Sequence, residues 1–584
     1  MLRRPVYSLL CISLAALGWS QVASAQPKPK IDIKGGNEAL RENIRSFLPL
    51  YDEACKTPPW RLRSLMRESE REIIAAGQAL GYYRLTFEHE LTRTDDCWNL
   101  VLRITPGDPV LVQEVRIVIN GDGAQDRAFT RIQEEPGIAK GDRLNHGRYE
   151  TLKNRFTSLA ANRGYFDGKF EHSRVAVNVG DNAAVVELVY DTGPRYRIGS
   201  INIEQDILND SFVQRYIEFE EGDYYDSEEL LELKSMFNAS NFFSTATIAP
   251  DLQHLEGESV PINISLEARK RYSYSVGAGV ATDTGPRLLL GFEDRYISSR
   301  GHSLASNLSL SEVTSTFETA YNIPMTRPAY EHLKIYTGYE TTNTDVSESD
   351  LYKIGTSYTR LEDNDWLYTY ALNYEREDSV VGSEDENRTH LLIPSISAFR
   401  AKLEGDPAYP RRGWNFLARF SGSPETLGSS VSFLQFHSRA KYIFPLGKGR
   451  VLLRGELGMT EVDELTSLPA SVRFFAGGDA SVRGYDYQSL GPKKTLDDGS
   501  EEVEGGNNLL VTSIEYDYLI RPKWAVAAFY DQGNAGNNFD FDIARGVGLG
   551  VRWISPIGPV RIDVAKALDE GRGWALHLSM GPDL

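Results

Sequence analysis

After residue 25 the chain has no run approaching the ~20 consecutive apolar residues that a helix needs to cross a bilayer. Cysteine is scarce, with three in 584 residues, one of them (Cys11) inside the N-terminal leader. A disulfide-dense secreted scaffold is thereby excluded. Positive charge is short as well: 63 Lys and Arg stand against 82 Asp and Glu, a formal net charge of −19. Such a balance excludes nucleic acid as a general partner, because phosphate recognition needs a basic face. Catalytic signatures are missing too. The nine His include no His-x-x-x-His pair, and no Ser sits in a Gly-x-Ser-x-Gly elbow. Gly546-Val547-Gly548-Leu549-Gly550 looks like a nucleotide loop only superficially: no helical pattern follows it, and it reads as wall packing within a strand. The acidic stretch from Leu496 to Gly506 lacks the ligand spacing of a calcium loop and reads as solvated. The expectation is a non-enzyme with no cofactor and no metal.

The N-terminus carries Arg3 and Arg4, an apolar run from Val6 to Gly18, and Ala23-Ser24-Ala25, a small-x-small cleavage site. Residues 1–25 read as a secretory signal peptide. Lipidation at Cys11 is set aside, because Leu10 occupies the position where a small residue is needed. Loss of the leader removes two Arg and leaves a mature charge of −21. Cys55 and Cys97 then remain as an isolated pair. In an oxidising compartment a disulfide is the expectation, with a two-Cys metal site as the alternative that lacks a His at finger-like spacing.

What is present is a repeat. Helical patterns ending in Gly81-Tyr82-Tyr83 and Gly164-Tyr165-Phe166, and less closely in Asn241-Phe242-Phe243, are each followed by paired strand patterns. These landmarks lie 83 and 77 residues apart, a domain-sized period. The glycines suit a left-handed helix terminus, with Asn241 as substitute, and the aromatics are expected to pack helix on sheet. The repeats are bounded as 30–106, 109–194 and 196–269.

From 270 to 584 the texture changes to alternation. Tyr272, Tyr274, Val276, Ala278 and Val280 share one face of the first segment, with Ser273, Ser275, Gly277 and Gly279 on the other. With this first one, about 16 such segments run to Gly581, of a length suited to tilted membrane strands, and outer-membrane barrels favour even numbers. The mean hydropathy of −0.37 fits a soluble secreted protein. It fits a barrel equally, whose wall alternates lipid-facing and lumen-facing residues. A propeller would show a motif in each blade, and none recurs. The last segment places Trp574, Leu576, Leu578 and Met580 on one face. The fold class expected is α+β repeats, three of them, followed by a 16-stranded antiparallel transmembrane β-barrel.

Between the eleventh and twelfth segments lies a long loop, about 462–506, with Gly477-Gly478 and then Val482-Arg483-Gly484-Tyr485. An Arg inside a lumen needs carboxylate partners, since an unpaired buried guanidinium is costly. Glu515 and Asp531 stand at lumen-facing parity on the next two segments. Asp531 lies within Phe529-x-Asp531-x-Gly533. The expectation is that Arg483 pairs with Asp531 and with Glu515.

These residues carry a resemblance. The helix-Gly-aromatic-aromatic-strand repeats look like POTRA domains. The Val482–Tyr485 motif in its loop, Phe529-x-Asp531-x-Gly533 and the closing Gly581-Pro582-Asp583-Leu584 are similar to the BamA/TamA outer-membrane assembly-factor superfamily. Three repeats and that tail resemble its TamA, or translocation and assembly module, branch. The resemblance covers the mature chain. It implies a barrel in the outer membrane, with the repeats in the periplasm. It implies a TamB-like inner-membrane-anchored periplasmic protein docking on the first repeat, and unfolded outer-membrane proteins or autotransporters as substrates. It also implies a weak seam between first and last strands, where Gly277 and Gly279 would loosen packing. A BamA-like core insertase and a two-partner-type secretion pore are the alternatives.

Overall fold

The computed structural model describes residues 28–94, 97–497, 499–538, 542–556, 558–569 and 573–581. The leader at 1–25 and the closing Pro582-Asp583-Leu584 lie outside the described residues. The chain divides into two compact units. One holds the chain through Ile198 with Gly222–Ser227 and Glu256–Val260; the other holds Gly199–Glu221, Glu228–Leu255 and Pro261 onward.

In the first unit the first repeat runs strand Lys30–Lys34, helices Glu38–Phe47 and Pro59–Ala79, then strands Thr86–Arg93 and Trp98–Thr105. Its sheet places Trp98–Thr105 in the centre, parallel to Lys30–Lys34 and antiparallel to Thr86–Arg93, which is left at an edge. Alternation explains the centre: Trp98, Leu100, Leu102 and Ile104 point into the core with Leu40, Ile44, Met66 and Ile73 from the helices. The second repeat has the same order, with its central strand Ala183–Asp191 between Leu111–Asn120 and Lys169–Asn178.

Gly81 (φ 84°) and Gly164 (φ 78°) take the left-handed conformation at their helix ends. Their carbonyls then accept hydrogen bonds from Val110 and Tyr196, the residues that open the next stretch of chain. The two aromatics of each triplet divide their work. Tyr82 and Tyr165 are buried. Tyr83 instead bonds through its hydroxyl to His146 Nε2 at 2.7 Å, and Phe166 packs edge-on against Tyr196 and Tyr225. So the second aromatic does not pack helix on sheet; it sits at the junction with the following segment. Asn241 also departs from expectation. It is outside the left-handed region, and its side chain donates to Glu293 of the barrel at 2.9 Å.

Cys55 and Cys97 are bonded, tying the lead-in of the long helix to the central strand. Beside them the Trp98 indole donates to the Ala54 carbonyl at 3.0 Å.

The second unit contains a 16-stranded antiparallel sheet in strictly sequential order, a nearly closed barrel from Tyr272–Ala281 to Trp574–Met580. The residues explain the wall. On the fourteenth strand, Ala544–Ser555, Leu549, Val551 and Trp553 are exposed, while Arg552 between them is buried. Tyr274, Val276, Phe317, Ile335, Ile354, Phe420, Leu434 and Ile514 extend the exposed apolar band around the sheet. No soluble protein presents a patch of that extent, so its solvent is the bilayer. Odd-numbered wall strands run one way and even-numbered the other. The turn after the first strand, the loop after the eleventh and the turn before the last therefore share one end of the barrel.

Closing the loop between Cys55 and Cys97 stabilises the first repeat by about 4 kcal/mol in the chain-entropy model. Replacing both cysteines by Ser is expected to raise amide exchange across residues 38–105 and leave the wall strands unchanged, as read by hydrogen–deuterium exchange on the full chain.

Candidate functional site

The eleventh strand ends at Val462 and the twelfth begins at Asn508. The segment between them folds back into the barrel, where Phe474, Ala476, Val482, Tyr485 and Leu490 form a buried cluster with Leu509, Val511, Ala535, Ala544 and Ala567 of the wall. Apolar burial seats the loop; charge then orients it.

Arg483 is the centre of that charge. Its Nε and one Nη reach the two oxygens of Asp531 at 2.7 and 3.0 Å, a forked pair. The other Nη donates to Glu515 at 2.7 Å and to Asp563 at 3.0 Å. The guanidinium also stacks over the Phe529 ring, its Cζ 3.4 Å from the centroid. The Phe-x-Asp-x-Gly pattern thus has a physical reading. Phe529 supplies the face, Asp531 the fork, and Gly533 the clearance, since a Cβ there would press on the backbone of Leu510 and Val511. Ser513 donates to Asp531 at 2.6 Å and holds it in place.

The wall glycines make the room. A Cβ at Gly546 would overlap the Arg483 carbonyl, at Gly548 the Phe529 ring, and at Gly550 the Asp563 carboxylate. Gly484 (φ 97°) could not be another residue without strain, and its Cβ position lies against the Lys566–Ala567 backbone. Tyr485 is buried, with its hydroxyl bonded to Asp569 and to the Arg545 carbonyl.

Several members of the site escape parity reasoning. Arg552, fully buried, bridges Glu515 and Asp563. Arg450 donates to Asp517 and stacks on Tyr409. Arg454 donates to the carbonyls of Ala480 and Ser481, just before the motif. The guanidinium groups of Arg450, Arg454, Arg483 and Arg552 are thereby balanced by the carboxylates of Glu515, Asp517, Asp531 and Asp563. Charge balance is what lets so many buried ions share the barrel interior. Further along the loop, Arg473 makes a separate buried pair with Glu384.

At the seam, Gly277 packs against Leu289, while Gly279 has open space where a Cβ would be. Trp574, Leu576 and Met580 are exposed on the outer face, and Leu578 is half-buried. Among the described residues no ladder joins the first strand to the last. Thr282, just past the first strand, bridges them, its N–H donating to the Leu578 carbonyl at 3.1 Å and its hydroxyl accepting the Leu578 N–H at 3.0 Å.

Asp283, Asp479 and His577 bring donor atoms within the reach of a cation. Hydrogen bonds occupy both His577 nitrogens and the Asp479 oxygens, so no metal is assigned there.

Comparison with known proteins places this arrangement. The Omp85 superfamily domain pattern matches residues 263–580. The chain belongs to the Omp85 superfamily. Within its N-terminal part, the pattern described as POTRA domain TamA domain 1 matches residues 30–106, and a POTRA pattern described as surface antigen variable number repeat matches 196–269. This Omp85 chain is therefore an outer-membrane β-barrel with N-terminal POTRA domains on the periplasmic side. A protein of Neorickettsia risticii (strain Illinois) named outer membrane protein assembly factor BamA is 24% identical over 577 residues, 91% of this chain and 73% of the relative. A protein of the same name from Nitratidesulfovibrio vulgaris is 30% identical over 163 residues, 27% of this chain and 20% of that relative. The one from Neisseria meningitidis serogroup B is 24% identical, spanning 62% of this chain and 52% of its own length. Two of these three matches thus cover little more than half, or less, of the relative. Among solved structures, BamA from Haemophilus ducreyi lacking POTRA domains 1–3 superimposes with a TM-score of 0.66 at 18% identity, covering 81% of this chain and 99% of that one.

Two predictions follow from the site. Arg483→Ala leaves buried carboxylates facing each other and is expected to cost about 3–5 kcal/mol. Arg483→Lys keeps the charge but loses the fork and the stacking, and falls between. Midpoints of urea unfolding from detergent micelles check both. The second concerns Asp283, in the turn after the first strand. Burial, and then the Asp479 carboxylate beside it, push its carboxyl from an ordinary 3.8 up to about 7. The Asp479 N–H opposes the rise, and Tyr487 packs nearby. A carboxyl raised in the seated state contributes most when protonated, and that contribution is lost as pH climbs through about 7. Protease protection of the loop is expected to weaken as pH rises from 3.8 to about 7, and Asp283→Asn to flatten that dependence.

Proposed function

We propose that this chain is an outer-membrane assembly factor of the TamA type, which helps insert or translocate β-barrel and autotransporter proteins. The observation that carries the reading is the unladdered seam. A wall otherwise hydrogen-bonded strand to strand leaves edge groups of its first and last strands without a ladder partner, and such edges recruit another strand. An incoming substrate strand pairs there while its apolar side chains enter the bilayer. The Val482–Tyr485 loop fills the lumen, which argues against a passive pore.

The TamA assignment is supported by the pattern matched at residues 30–106. In that repeat a groove of 870 Å³ lies between the helix Pro59–Ala79 and the edge strand Thr86–Arg93. Trp60, Arg63, Met66, Arg67 and His89 are among its lining residues. Trp60 is 66% exposed, which is unusual for the largest apolar side chain. An apolar floor, a basic rim and a free strand edge suit an extended segment of a TamB-like inner-membrane-anchored partner. The BamA-like core insertase is the second reading, favoured by the names of the curated relatives.

Gentle purification of the tagged protein from native outer membranes separates the two. A large inner-membrane-anchored companion, lost on deleting residues 30–106, is the expected result. Recovery of outer-membrane lipoproteins in its place would move the assignment to the core insertase.

A further inference from the structure

The last wall strand is apolar outward and nearly featureless inward, with Ala575, His577 and Ser579 on the lumen side. His577 is the exception, a buried imidazole on an otherwise small-residue face. The Gly484 N–H, inside the lumen motif, donates to its Nε2 at 2.9 Å. Nε2 is therefore the acceptor, and the neutral ring carries its proton on Nδ1, 2.6 Å from Asp479 Oδ1. Asp479 belongs to the same loop. Its two oxygens accept the Thr282 hydroxyl proton at 2.8 and 3.0 Å, and its own N–H donates to Asp283 at 2.6 Å. Thr282 then reaches Leu578 on the last strand.

The hydrogen bonds close a ring: last strand, loop, first-strand turn, last strand. Neither Asp479 nor His577 hydrogen-bonds to the Arg483 carboxylates, although His577 stands opposite Asp563 across the last two strands, so the ring is a second set of loop contacts beside the Arg483 cluster. It is also where the seam is bridged. A regular pair of wall strands distributes its hydrogen bonds along its length and opens only by unzipping. Here closure is concentrated at one point, and that point is held by the lumen loop.

We propose that Asp479 and His577 are positioning residues that latch the lateral seam to the lumen loop, so that unseating the loop and opening the seam are a single event. The proposal rests on the seam reading given under the proposed function and names what controls it. An incoming strand need not force the wall apart; displacing the loop from His577 and Thr282 frees both edges together.

The test is hydrogen–deuterium exchange on the full chain in lipid nanodiscs, followed in peptides covering 574–581, 482–490 and 544–555. Asp479→Ala and His577→Phe are expected to speed exchange of the last strand about tenfold, the loss of one charge-assisted hydrogen bond. The fourteenth strand, 544–555, is expected to stay as in the parent. His577→Gln, whose amide oxygen can accept from Gly484 while its NH2 donates to Asp479, is expected to return exchange to within about twofold of the parent. Where Asp479→Ala impairs folding, Asp479→Asn keeps the volume and is still expected to loosen the last strand. Unchanged exchange of 574–581, equal acceleration of every wall strand, or a Gln variant as fast as Phe would each overturn the latch. A loosened last strand with undiminished assembly in cells would leave the latch standing and remove the seam from the mechanism.

Discussion

A guanidinium that cannot be left alone organises this barrel. Arg483 is almost fully buried, and a buried cation left unpaired costs several kcal/mol. It is tolerated because three wall strands each supply a carboxylate: Glu515, Asp531 and Asp563. Those carboxylates in turn would repel one another without Arg483 and Arg552. The loop and the wall therefore hold each other in place.

The rest of the chain's composition follows from that need. A loop folded into a lumen displaces wall side chains, and glycine at 546, 548 and 550 provides the space. The outward residues of the same strand, Leu549, Val551 and Trp553, remain free to meet lipid, because successive side chains point to opposite faces. One strand thus serves two surroundings, hydrocarbon outside and a charged cluster inside. The same division marks the last strand, with Trp574 and Leu576 outward and His577 inward.

Much of this could be read from the residues. The 83- and 77-residue spacing exposed the repeats, the alternation exposed the wall, and the two motifs led to Arg483, Glu515 and Asp531. Other parts were out of reach for physical reasons. Asp563 and Arg552 sit at the right parity, but parity sets only the face and not the height in the barrel. Depth depends on the shear between strands, which no local pattern records. His577 is a lone inward imidazole whose partners, Gly484 and Asp479, lie 93 and 98 residues away. Tyr83 and Phe166 read as core aromatics because a residue at a domain junction and one in a core share the same composition. Asn241 illustrates the limit of substitution by analogy: tolerance of the left-handed region did not mean that it was used.

Ion conductance of the full chain in planar lipid bilayers tests the central claim most directly, that charge pairing keeps the loop seated and the barrel shut. The account predicts a nearly silent parent protein and large, sustained openings once Arg483 is replaced by Ala. A parent that conducts steadily, at a level the Arg483 substitution does not change, would contradict it.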